Sequence, residues 1–86
     1  MKITNMIGRT GKNVPNQFVV TDGEKTWFQS YNSIIAVIEN GKVTLDQKFW
    51  NYSKTTGKYR NEFLGETRKE TEVKIQSGEY QLKNLN

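Results

Sequence analysis

Any chemistry in this chain must come from carboxylates, lysines, arginines, hydroxyls and amides, because the sequence has no histidine and no cysteine. That removes thiolate nucleophiles, the commonest zinc ligands and the usual general base together. Nine Asp and Glu residues remain. Asp22 and Glu24 flank a turn glycine, where both are expected to be solvated. Glu62, Glu66 and Glu70 recur every four residues, but Gly65 should stop any helix that would align them. No carboxylate marks itself as the desolvated group that acid–base catalysis needs. The sequence therefore points away from an enzyme, and it names no catalytic residue, metal ligand or cofactor.

Two basic segments remain as binding candidates. Gly8-Arg9-Thr10-Gly11-Lys12-Asn13 has the flavour of a phosphate-binding loop. Such a loop needs four residues between its glycines and a Ser or Thr after the lysine, and neither is present. Arg9 and Lys12 thus belong to a basic arm. Lys54, Lys58 and Arg60 surround Tyr59 in a stretch, residues 54–61, that holds no carboxylate. If that stretch is helical, Lys54 and Lys58 share a face, and cations interleaved with a ring can contact phosphates and bases together. These three cations are expected to be exposed and to face a partner. Two Trp, four Tyr and four Phe supply the large rings a small core needs. Strand alternation places Trp27 and Phe28 on opposite sheet faces, so one of them should escape the core. An exposed Trp27, with Tyr31 beside Gln29 and Asn32, would suit stacking on a partner.

The elements that must position these residues can be read from turn signals and periodicity. Residues 1–16, crowded with Gly8, Gly11, Asn13, Pro15 and Asn16, read as an irregular basic N-terminal arm, although Lys2 to Ile7 has strand character. Residues 17–86 read as a single domain. Gln17–Thr21 and Lys25–Ser30 form a hairpin around Asp22-Gly23, and Ser33–Glu39 is apolar enough for a central strand. Asn40-Gly41 is the strongest turn signal, and Lys42–Asp46 alternates after it. Ile35 and Val37 are expected on one buried face. Tyr52, Thr56, Tyr59 and Phe63 fall on one helical stripe that ends at Gly65. Thr67-Arg68-Lys69-Glu70 is a capping box for a second helix, with Glu70 and Lys74 paired four apart and Gly78 as its end. Glu79–Lys83 can add a last strand. The fold class is α+β: two successive β-hairpins in an antiparallel sheet, packed with two short helices on one face.

No apolar run is long enough for a signal-peptide core or a membrane span, the longest being Ile34–Ile38. A soluble cytoplasmic protein without membrane contact is expected. Net charge is +4, which permits nucleic acid or acidic proteins as partners without requiring either.

At residues 28–36 (Phe-Gln-Ser-Tyr-Asn-Ser-Ile-Ile-Ala) and 50–65 (Trp-Asn-Tyr-Ser-Lys-Thr-Thr-Gly-Lys-Tyr-Arg-Asn-Glu-Phe-Leu-Gly) the chain resembles the small proteins carried by bacteriophages and mobile elements of Gram-positive bacteria. The resemblance spans about Gly11 to the C-terminus. It implies a bacterial host cytoplasm and an accessory role, and it transfers no functional residue. The function expected is non-catalytic: binding and blocking a host protein or nucleoprotein complex, such as a CRISPR defence component. The alternatives are direct nucleic-acid binding by the basic and aromatic residues, or sequestration of a nucleotide signal.

Overall fold

The sheet begins earlier than its turn formers suggest. In the computed structural model, which describes all 86 residues, β1 spans Lys2–Ile7 and β2 spans Asn13–Asp22. β3 (Lys25–Ser30), β4 (Ser33–Glu39) and β5 (Lys42–Asp46) follow. Then come α1 (Lys54–Leu64), α2 (Arg68–Gln76) and a short β6 (Gln81–Lys83). The strands lie in sequence order, antiparallel throughout except for the parallel β5–β6 pair. The α+β class, the hairpins, both helices and the last strand are as the sequence predicts.

Residues 1–16 are not an irregular arm. Gly8 to Lys12 make only the tight turn between β1 and β2, closed by the Gly8 amide donating to the Lys12 carbonyl at 2.9 Å. Pro15 and Asn16 sit in a bulge, where the register passes from Asn5↔Phe18 to Ile7↔Asn13. A bulge tolerates proline because its residues leave the ladder. The Asn5 amide bridges it, donating to the Val14 carbonyl at 3.0 Å.

Turn chemistry sets the remaining registers. Asn40 and Gly41 both have positive φ (53° and 76°), the pattern of a two-residue hairpin turn between Glu39 and Lys42. The turn after β2 falls one residue later than expected. Asp22 pairs with Lys25, so the loop is Gly23-Glu24, with the positive φ on Gly23 alone. The loop between β3 and β4 is Tyr31-Asn32, where Tyr31 takes φ 56°.

Val37 does not share a face with Ile35. The β3–β4 register shifts between Phe28 and Gln29, which leaves Ile35 as the extra residue. The bulge turns Ile35 and its neighbour Ala36 together into the core (1% and 0% exposed), and Val37 pairs with Trp27 on the opposite face. The core is completed by Phe28, Leu45 and Tyr80, with Tyr59, Phe63, Leu64 and Ile75 of the helices against it. Phe28 and Phe63 stack at 5.7 Å between ring centroids.

Each helix is delimited by its caps. Ser53 accepts from the Thr56 amide at the start of α1, and Gly65 ends it at φ 70°. Tyr52 lies outside α1 and is exposed. The Thr67–Glu70 capping box is complete in both directions. Because Glu70 is used there, Lys74 pairs with Glu66 at 2.8 Å, and the pair four apart on α2 is Arg68–Glu72 at 3.2 Å.

Gly41→Val should cost about 2 kcal/mol, because a β-branched residue resists the positive φ. Thermal unfolding should show Tm lower by roughly 10 °C in a domain of this size.

Candidate functional site

The cations of residues 54–60 do not form one exposed patch. Lys54 and Lys58 are exposed on α1, but Arg60 is fully buried (0% exposed) and Tyr59 is half-buried against the core. The Arg60 guanidinium stacks 5.2 Å from the Trp50 ring. It donates to the Trp50 carbonyl at 2.6 Å and to the Asn51 and Asn61 side-chain oxygens at 3.3 and 2.9 Å. No carboxylate lies within ion-pair distance of it. Burial lowers its pKa and nearby Arg68 lowers it further, while Glu66 and Glu72 oppose this without reversing it. Arg60 is thus a strut between α1 and the turn before it. The three-cation surface expected from sequence is overturned, because the Trp50 ring and carbonyl, with the Asn51 and Asn61 side-chain oxygens, hold the arginine inward. Lys58 lies over the Tyr59 ring at 5.2 Å and makes no ion pair with Glu62.

The other candidates are dispersed. Arg9 and Lys12 are exposed in the β1–β2 turn. Tyr31, half exposed, lines a groove of about 550 Å³ with Tyr52 and Thr55 beside the start of α1. Its backbone amide donates to the Asn16 carbonyl at 2.7 Å, and the Gln29 side chain donates to its carbonyl at 2.9 Å. This bonding holds a tyrosine in a conformation that bulky residues rarely adopt.

Trp27 occupies a different surface. Phe28 is wholly in the core, so its neighbour Trp27 lies on the sheet face that no helix covers. Register defines that face in three rows. The first is Asp22–Lys25–Glu39–Lys42, alternating in sign across β2 to β5. The second is Ile3–Val20–Trp27–Val37–Thr44, across five strands, and the third is Asn5–Phe18–Gln29–Ile34. Ile3 is exposed, Phe18, Trp27, Ile34 and Val37 are half-buried, and Val20 between them is buried. An apolar band with a charge-balanced border is the composition of a contact surface.

Two carboxylates that the sequence does not mark as desolvated have buried side chains. Asp46 (1% exposed) accepts from the amides of Lys48, Phe49 and Leu85 and from the Asn86 side chain, at 2.8–3.0 Å. Burial alone would raise its pKa, but these four donors outweigh burial and lower it. An Asp closing a strand before a turn is a recognisable turn signal. Glu66 accepts from Lys74, Tyr80 at 2.7 Å and Thr71. Again burial opposes and the donors prevail, so its pKa is lowered, while the Tyr80 hydroxyl is pushed up by burial and by Glu66. Nothing local in sequence marks Glu66, whose partner Tyr80 lies fourteen residues on. Both carboxylates are anchors held in the ionised form. No three Asp, Glu, His or Cys residues come together as a metal site, and no helix is long and apolar enough to cross a membrane.

These features define a six-stranded sheet domain covered by helices on one side, with an apolar band on the other. Residues 1–80 match the model of DUF8033, described as a family of unknown function, and the chain belongs to that family. No curated protein and no solved structure matches it.

Arg60→Ala should cost about 3 kcal/mol or more, since it leaves a cavity and three unpaired oxygens. Lys54→Ala with Lys58→Ala should cost under about 1 kcal/mol, as exposed charges do. Urea unfolding separates the two. Stability should also fall on acidification. Unfolded Asp and Glu titrate near their ordinary values of about 4, and the folded Asp46 and Glu66 titrate lower. Their contribution is therefore complete above those ordinary values and drains away as pH falls through them toward the lowered folded ones. Glu66→Gln should cost about 2 kcal/mol at pH 7 and flatten the acid limb of a Tm-against-pH curve.

Proposed function

We propose that this protein is a non-catalytic accessory protein of phage or mobile-element type that binds and blocks a host protein in the bacterial cytoplasm. Its docking surface is the open sheet face centred on Trp27. The observation that carries this reading is the apolar row Ile3–Val20–Trp27–Val37–Thr44, left uncovered by both helices. A half-buried Trp amid aliphatic neighbours is the composition of an interface anchor. The border row carries two acids and two bases, so this face offers no net attraction to a phosphate backbone, and a protein is the better occupant. The defence-related class of target comes from the resemblance of residues 28–36 and 50–65.

A second reading, a second copy of this chain, is favoured by that border row. Two sheets stacked about a two-fold axis parallel to the strands reverse strand order. Asp22 then meets Lys42 of the other copy, Lys25 meets Glu39, and Trp27 meets Val37. An alternating row is self-complementary in that arrangement.

Trp27→Ala should preserve the circular dichroism spectrum and weaken binding to a purified host target, first found by affinity capture with nuclease treatment, by at least about tenfold. The wild-type affinity should change little with added salt, unlike phosphate-dominated binding. Unchanged affinity in the variant, or a steep salt dependence that survives it, rejects the host-protein reading. A concentration-dependent dimer in sedimentation, broken by Lys25→Glu and restored by adding Glu39→Lys, selects the second reading.

A further inference from the structure

Gly57 is a glycine that the fold does not require. It lies inside α1, its φ is not positive, and a Cβ there would sit 3.8 Å from both Arg60 Nη atoms and from Asn51 Oδ1, ordinary contact distances. Alanine would fit and would favour the helix. What the missing methyl does is leave open, over the buried Arg60 guanidinium, a concavity of about 470 Å³. Lys54, Lys58 and Arg68 line the same concavity, with Asn51 and Asn61 between them, and no hydrophobic residue contributes.

Positive charge predominates in this place: Glu66 and Glu72 act on Arg60 through space, but neither is in ion-pair contact with it. Arg60 is fully buried with its Nε–H unpartnered, and no carboxylate of this chain pairs with it. Buried charges are ordinarily paired, because desolvation without a counter-charge is costly. Of the four cations, only Arg68 has an acidic partner, Glu72 at 3.2 Å. A buried guanidinium beneath two exposed ammonium groups and a second, exposed guanidinium matches a multiply charged oxyanion. No hydrophobic residue lines the concavity, so it offers a base no aromatic or aliphatic side chain to pack on.

We propose that Gly57, Arg60, Lys54, Lys58 and Arg68 form a binding site for a terminal phosphate or diphosphate group, on the opposite side of the molecule from the open sheet face. Recognition is of the phosphate alone, so the carrier can be free pyrophosphate or the phosphate end of a nucleotide. A phosphodiester, with one charge per phosphate, is the poorer match. The site is independent of the docking surface proposed above, and Trp27→Ala should leave it unchanged.

The test is a titration of the wild-type protein with pyrophosphate, followed by amide chemical shifts at constant ionic strength, with sodium chloride as the control. Shifts should centre on residues 51–61 and 68 and saturate. Adding ADP tests whether a nucleotide carries the same group, and an oligonucleotide without terminal phosphates tests the diester. Gly57→Ala should raise Tm by about 5 °C without ligand, as an interior helix glycine replaced by alanine does. The same variant should bind pyrophosphate at least about tenfold more weakly, because the methyl occupies the cradle. Arg68→Ala, an exposed change, should weaken binding without lowering Tm. The proposal is overturned if pyrophosphate gives no more shift than chloride, or if Gly57→Ala binds as the wild type does. Tighter binding of the oligonucleotide than of pyrophosphate also overturns it.

Discussion

Helices of eleven and nine residues cannot enclose a six-stranded sheet. At 1.5 Å per residue α1 is about 16 Å long, whereas six strands span about 24 Å across the sheet. Both helices therefore pack on one face, over Phe28, Ile35, Ala36 and Leu45, and the other face stays with solvent. Most of the architecture follows from that shortage. The bulge at Ile35 turns two consecutive apolar residues toward the covered side, concentrating apolar area where the helices reach. Trp27, Phe18 and Val37 fall on the other side by alternation.

A core this thin is supplemented by polar anchoring. Five buried hydrophobic residues make up the core cluster, and three charged side chains tie the periphery to it. Asp46 gathers the turn after β5 and the last two residues, and Asn86 also exchanges two hydrogen bonds with the Ile34 backbone. Glu66 joins α2 to Tyr80 through Lys74, Thr71 and the tyrosine hydroxyl. Arg60 fixes α1 to residues 50 and 51. Asp46 and Glu66 meet enough donors to stay ionised. Arg60 is in contact only with neutral oxygens and a ring, and Glu66 and Glu72 offset its burial only from a distance.

What could be read from sequence was whatever local chemistry dictates. Asn40-Gly41, Gly65 and the Thr67–Glu70 box each impose a backbone geometry through residues adjacent to one another, and each is where expected. The start of β2 was obscured because Gly8 and Gly11 are confined to the turn before it, while Pro15 and Asn16 sit in a bulge rather than in a loop. The Val37 assignment failed because one slipped residue inverts a face, and no local signal announces the slip. Arg60 was misplaced for a related reason. A cation with no nearby acid looks solvated, yet Trp50 and three oxygens distributed over residues 50–61 can hold it buried. The exposed ring of the Trp27–Phe28 pair was legible as a choice of two, and only burial resolves it.

The two surfaces are separated by the full thickness of the domain, and few bonds join them. Side-chain contact between β3 and α1 includes the Phe28–Phe63 stack and the Ser30–Thr56 hydroxyl pair at 2.9 Å. Trp27 directly precedes Phe28 on that strand, and Gly57 follows Thr56 on that helix. A change in α1 that altered the fit of Thr56 would thus reach β3 at Ser30, two residues from Phe28, through packed groups rather than a hinge. Ser53 also donates to Thr56 at 3.2 Å, so the N-cap, the buried hydroxyl pair and the glycine form one short rigid segment. Rigidity there favours independence. Two packed layers joined by a stacked ring pair and a buried hydrogen bond shift little when either outer face is occupied, so each face can be occupied without altering the other.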